Sequence, residues 1–114
     1  MATADENGTP HLTVASAVSL AGPDRIAIEE WFCPRTVANV IRNPRTSIVV
    51  WDLSRDDGHQ MVGEVMDIEQ SAMLDGYSPQ IGARDDGPQT EHRLVIRVDK
   101  MFVFSHAPHN DEVE

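Results

Sequence analysis

The sequence predicts a mainly β protein, a small antiparallel β-barrel of about six strands in Greek-key-like order with two short helices. Roughly six segments carry β-branched or aromatic residues in apolar–polar alternation, clusters of Gly, Pro, Asn and Asp separate them, and only two stretches have helical spacing. Closing such strands into a barrel removes the sheet edges that would otherwise pair with other chains.

Taken in order, residues 1–4 read as the end of a strand and "DENGTP" (5–10) as a hairpin turn, with Asn7-Gly8 supplying the left-handed positions that tight turns need. The return strand is expected over 11–20. "AGPD" (21–24) turns the chain into a third strand, 25–31, where Ile26 and Ile28 alternate with Arg25 and Ala27. A helix follows over about 34–43: Pro34 sits at its first position, Val37, Val40 and Ile41 recur at helical spacing, and Pro44 ends it. Residues 45–53 form an apolar strand, 54–58 a polar turn and 59–69 a strand in which Gly63 marks a bulge or a close backbone approach. A second short helix is expected at 70–80 and a loop at 81–91. The last strand, "RLVIRVDKMFVF" (93–104), has the clearest pattern, and 105–114 is expected to be a disordered acidic tail because it has little to bury. The organisation is therefore one domain, 1–104, with a tail.

Composition narrows the function. A net charge of −10, with Lys100 the only lysine against 19 acidic residues, speaks against a nucleic acid or an acidic membrane, both of which are held by clustered cations. One cysteine forms no internal disulfide, and neither a signal segment nor a long apolar run is visible, so a cytoplasmic protein is expected. The five histidines are scattered without metal-ligand spacing, and no metal is expected. Cys33 has no partner cysteine and no evident base beside it, and is read as structural.

One placement needs explaining. Arg35 stands at a helix start, where the partial positive charge and unpaired N–H groups disfavour a cation by about 0.3–1 kcal/mol unless an anion lies beside it. An anion beside Arg35 would resolve the conflict.

The order and residues "ATADENGTPH", "DRIAI", "PRTVANVIRNPRTSIVV" and "HQMVGEV" resemble the pyridoxamine 5′-phosphate oxidase-like split barrels that bind FMN, and within that family the small flavin-binding proteins. The likeness covers residues 1–69, with "LVIRVDKMFVF" resembling the closing strand. It is most specific over 35–50, where a basic residue and its neighbour open the helix and Asn-Pro-Arg leads into the central strand. Relatives carry a helix and further strand residues ahead of "ATADENG", so either the first strand is short here or the natural protein begins upstream.

The resemblance implies that Arg35 and Thr36 hold the FMN 5′-phosphate, and that Thr13, Val14, Ala15 and Ser16 lie along the isoalloxazine ring. It also implies that Glu30 and Trp31 approach the ribityl chain and ring, and that Gln60 reaches the flavin of the other subunit. The resemblance further implies a homodimer with flavin at the subunit interface, acting as an oxidoreductase or electron carrier, with NAD(P)H or a redox protein as partner. The vitamin-making oxidases have an arginine and a lysine where this chain has Thr13 and Val18, so pyridoxamine phosphate oxidation itself is not expected. The alternative is a cofactor-free or deazaflavin-binding member of the fold that serves as a binding or regulatory module. No side chain presents itself as a catalytic acid or base.

Overall fold

A computed structural model of the chain describes residues 1–15, 17–31, 33–73 and 90–108. Its strands are β1 (Ala2–Ala4), β2 (Pro10–Leu12), β3 (Ala17–Gly22), β4 (Arg25–Trp31), β5 (Arg45–Asp52), β6 (Asp57–Met73) and β7 (Thr90–Phe104), with one helix among the described residues, α1 (Pro34–Arg42), between β4 and β5. All seven strands form one antiparallel sheet in the order β2-β1-β5-β6-β7-β4-β3. The sheet is not closed by hydrogen bonds, so the expected barrel is a split one.

The single return strand expected over 11–20 is in fact two. β2 pairs with β1 at one edge of the sheet and β3 pairs with β4 at the other. Their connection spans at most about 17–18 Å when fully extended, whereas seven strands laid flat would be about 29 Å wide. The sheet must curl until its two edges face each other across a seam, and the connection crosses that seam.

The first hairpin turns over residues 5–9, and of the expected left-handed pair Asn7-Gly8 only Gly8 takes that conformation. Gly8 adopts φ +82°, and the Asp5 carboxylate accepts the N–H groups of Asn7 and Thr9, both at 2.9 Å. The helix ends where Pro44 requires, with Asn43 N–H donating to the Asn39 carbonyl at 2.7 Å. Its buried residues are Thr36, Asn39 and Val40, while Ile41 is exposed. The apolar triplet is therefore not the buried stripe. Asn39 Nδ2 donates to Thr3 Oγ1 at 3.0 Å and fastens the helix to β1 through a buried polar pair.

Residues 70–73, expected as the start of a second helix, continue β6, because pairing of Gln70 with His92, Ala72 with Glu91 and Met73 with Thr90 satisfies their backbone. The remainder of that helix and the loop through 89 lie outside the described residues. In β7 the loop expected to reach 91 has already become strand.

The core cluster lies on the concave face, where Ile28 stands opposite Leu94 and Ile26 opposite Ile96, with Ile48 joining from β5. Gly63 sits where both expectations for it meet. A Cβ there would collide with the Arg97 carbonyl, and the β6–β7 register shifts at that point. Gly63 pairs with Val98 and Val62 with Lys100, which leaves Asp99 as the extra residue on β7. Its carboxylate accepts from Arg45 at 2.5 Å and from Arg97 at 3.3 Å, and these bonds hold it below the usual carboxylate range. The bulge reverses the alternation of β7. Val98 and Met101 face inward with the core, and Phe102 and Phe104 face outward.

After β7, the chain is pinned to the β5–β6 turn. Asp56, at φ 49°, accepts from His106 N–H at 2.6 Å, Ala107 N–H at 3.0 Å and Trp51 Nε1 at 3.1 Å. Residues 109–114 lie outside the described residues. Among the described residues no helix is long and apolar enough to cross a membrane.

Candidate functional site

The helix start is the most informative place on the molecule. Pro34 opens α1, no side chain caps it, and its first turn contains no acidic residue. The Cys33 carbonyl receives the first helical bond, from Val37 N–H at 3.2 Å. The N–H groups of Arg35 and Thr36 come too early in the helix to find an acceptor within it. Two side chains sharpen this polarity. The Arg35 side chain is exposed and, like that of Arg55, has neither a hydrogen bond nor an ion pair among the described residues, whereas Arg25, Arg42, Arg45, Arg93 and Arg97 each face a carboxylate. Thr36 is fully buried, and its hydroxyl has no hydrogen-bond partner among the described residues. A buried orphan of this kind costs about 1–3 kcal/mol. Native proteins rarely keep one without a use for it.

The seam delivers a second group of residues to the same place. Thr13, just past β2, exchanges backbone bonds with Met1, donating its N–H at 2.9 Å and accepting from the Met1 nitrogen at 2.7 Å. Its Oγ1 lies 3.2 Å from Cys33 Sγ, at the helix cap. Cys33 is half-buried and free of any disulfide. Val14, at 91% exposure, stands out into solvent from the seam, and Ala15 packs against the core cluster. Ser16 lies outside the described residues. The backbone of Glu30 and Trp31 closes β4 opposite His92 and Glu91; their side chains lie outside what the structure describes. The chain therefore brings Thr13 to the cap that precedes Arg35 and Thr36, with Val14 and Ala15 in the same short connection.

Gln60 is elsewhere. In the β5–β6 ladder it pairs with Val49, and its Nε2 donates to Ser47 Oγ at 2.8 Å. Ser47 stands opposite Ala2 of β1, whereas the helix is tied to Thr3, the next residue along and therefore on the other face. Gln60 accordingly occupies the convex face, away from the helix within one chain. It shares that face with Val49, Phe102 and a Trp51–Phe104 pair whose rings meet edge to face at 5.6 Å. Gly58, opposite Trp51, has no room for a side chain, since a Cβ there would lie 2.5 Å from the Val50 carbonyl oxygen and 3.0 Å from the Trp51 ring. The sequence reading missed Trp51 and Phe104 as neighbours. Only the bulge at Asp99 turns Phe104 to that face.

Comparison with known proteins adds the following. The family described as pyridoxamine 5′-phosphate oxidase matches residues 1–104. HupZ of Group A Streptococcus has a similar structure, with a TM-score of 0.64 at 20% identity over 96% of this chain and 86% of that one. A Clostridium acetobutylicum protein related to general stress protein 26, of the pyridoxinephosphate oxidase family, gives 0.59 at 18% identity over 94% and 78%. An FMN-binding protein of Syntrophomonas wolfei gives 0.56 at 19% identity over 94% and 76%. At these identities the likeness is one of fold. No curated protein sequence matches.

The orphaned hydroxyl makes a prediction that needs no ligand. Thr36→Val keeps the side-chain shape and removes the unmet polar group, so the ligand-free protein should gain about 1 kcal/mol in a urea titration. A loss of stability would show that the hydroxyl is satisfied in solution and that the helix start has no unmet demand.

Proposed function

Because the chain belongs to the pyridoxamine 5′-phosphate oxidase family, we propose that it is an FMN-binding flavoprotein, an oxidoreductase or electron carrier whose phosphate site is the start of α1. One observation carries the reading: the buried, unpartnered Thr36 hydroxyl lies beside an arginine without a carboxylate, at a helix start without an acidic residue. Each of these features is unfavourable in isolation, and a phosphate satisfies all three. Arg35 would fork onto two phosphate oxygens, Thr36 Oγ1 and the first N–H groups would donate to the others, and the helix dipole would favour the charge. Thr13, Val14 and Ala15, in the seam, would lie along the ring together with Ser16, and Glu30 and Trp31 at the end of β4 would flank the ribityl chain. Bound flavin supplies the redox chemistry, and the protein's share is to hold the phosphate, orient the ring and tune its potential. The FMN-binding protein of Syntrophomonas wolfei, similar in fold, supports the choice of ligand.

Gln60 enters through a second copy of the chain. On the convex face it cannot serve the helix start of its own subunit, and it lies among Val49, Trp51, Phe102 and Phe104. A homodimer formed through this face would bury those apolar groups and carry Gln60 toward the partner's flavin. The substrate reading follows from charge. Thr13 and Val18 stand where the vitamin-making oxidases have cations, Thr13 engages Cys33 instead, and a net charge of −10 repels phosphorylated amines. Electrons would come from NAD(P)H or a redox protein.

Three measurements test this reading. Arg35→Ala should weaken FMN binding about ten- to hundredfold while leaving riboflavin nearly unaffected, read by flavin fluorescence; equal losses for both ligands would make Arg35 merely structural. Light scattering of flavin-loaded protein at micromolar concentration should give a dimer, and a flavin-bound monomer would remove Gln60 from the site. In anaerobic stopped-flow, NAD(P)H should bleach bound flavin and pyridoxamine phosphate should not. Bleaching by pyridoxamine phosphate, with pyridoxal phosphate formed on admitting oxygen, would restore the oxidase activity in its literal sense.

A further inference from the structure

The curled sheet is treated differently at its two ends. At one end α1 lies over β1, through the buried Asn39–Thr3 bond. The other end, between edge strand β3 and the β5–β6 hairpin, holds a cleft of about 560 Å³ on the concave face. Its walls are Val18 and Leu20 of β3, Ile26 of β4, Val50 of β5, Met61 of β6 and Met101 of β7. Concave sites at barrel mouths with apolar walls and a few polar groups are the usual form of small-molecule sites, and about 300–1,000 Å³ is their usual size.

Among the described residues, the Asp, Glu, Lys and Arg side chains that line this mouth are two aspartates, beside the polar Ser19 and His59. Asp52 and Asp57 close the β5–β6 hairpin as a directly opposed pair, and both line the cleft together with His59. Like charges directly opposite on a ladder destabilise it. Among the described residues no Lys or Arg lines the cleft. Asp52 spends one carboxylate oxygen on its own turn, accepting from Ser54 N–H at 3.0 Å and Ser54 Oγ at 2.7 Å. Asp57 has no hydrogen-bond or ion-pair partner among the described residues. The walls are also unusually bare for a concave face, with Leu20 at 87% exposure and Val18, Val50 and Met101 all exposed.

We propose that this mouth is a second binding site, distinct from the helix start, for a small amphipathic amine: an apolar body seated on Val18, Leu20, Val50, Met61 and Met101, and a cationic head held between Asp57 and Asp52. Charge complementarity selects the cation, since the rim is acidic and a carboxylate ligand would meet two like charges. The apolar walls select an aromatic or branched body over a bare metal ion. The site does not depend on flavin binding, and its test leaves that reading untouched.

Phenethylamine, 2-phenylethanol and 3-phenylpropionate share one body and carry a cation, a neutral group and an anion. Each is titrated into the full chain as purified, and the methionine methyl signals are followed by NMR. Phenethylamine should shift the Met61 and Met101 methyls and leave exposed Met66 unmoved; 2-phenylethanol should bind more weakly and 3-phenylpropionate not at all. Asp57→Asn, at an exposed position, should weaken the amine about two- to fivefold and leave the alcohol unchanged. Leu20→Lys, equally exposed, should abolish binding by filling the mouth with a competing cation. Equal binding of all three compounds, no shift of Met61 and Met101 with any of them, or an unchanged amine affinity in both variants would overturn the proposal.

Discussion

The architecture depends on the reach of four residues. Thr13 to Ser16 leave β2 at one edge of a seven-stranded sheet and must enter β3 at the other. A flat sheet would put those edges about 29 Å apart, beyond the roughly 17–18 Å that the extended connection covers. The curl follows from that limit. The curl in turn makes a concave face that can enclose Ile26, Ile28, Ile48 and Ile96, and a convex face left to the outside. It also places the seam, and thus Thr13, against the cap of the helix that follows β4.

A second constraint acts within the sheet. The backbone of β7 comes so close to Gly63 that no side chain fits there, and Asp99 is squeezed out of register. Arg45 and Arg97 hold the expelled carboxylate. As these side chains are partly exposed, their ion pairs fix geometry more than they add stability. The geometric effect is large all the same. One extra residue exchanges the faces of everything that follows, so Met101 lines the concave mouth while Phe102 and Phe104 join Val49 and Trp51 outside.

The helix start shows where stability has been given up. An apolar residue in place of Thr36 and an acidic residue in the first turn would suit an isolated helix better, by the desolvation of a hydroxyl and by the dipole. The chain has instead a buried hydroxyl and an arginine that find no partner among the described residues. Local rules are broken together at this one place, while the rest of the helix obeys them at Pro34 and at Asn43-Pro44, and this contrast is what supports the proposed phosphate site.

Much of this protein was legible in the sequence because the signals are local. Pro34 and Pro44 bound the helix, Gly8 turns the first hairpin, and Gly63 announces a bulge or close approach, all from rules that operate over a few residues. What the tertiary structure alone decided involves partners distant in the chain. The apolar and small residues of 11–20 alternate like one strand, yet pairing with β1 on one side and β4 on the other divides them, because a curled sheet has two edges to fill. Residues 70–73 had helical spacing and became strand because β7 was there to accept their backbone bonds. Gln60 entered the expected site only by resemblance; its position on the face opposite the helix depends on the pairing of Ser47 with Ala2. Burial of the Thr36 hydroxyl and the outward turn of Phe104 have the same origin. Each is set by what packs or pairs against it from elsewhere in the chain, and local pattern carries no record of that neighbour.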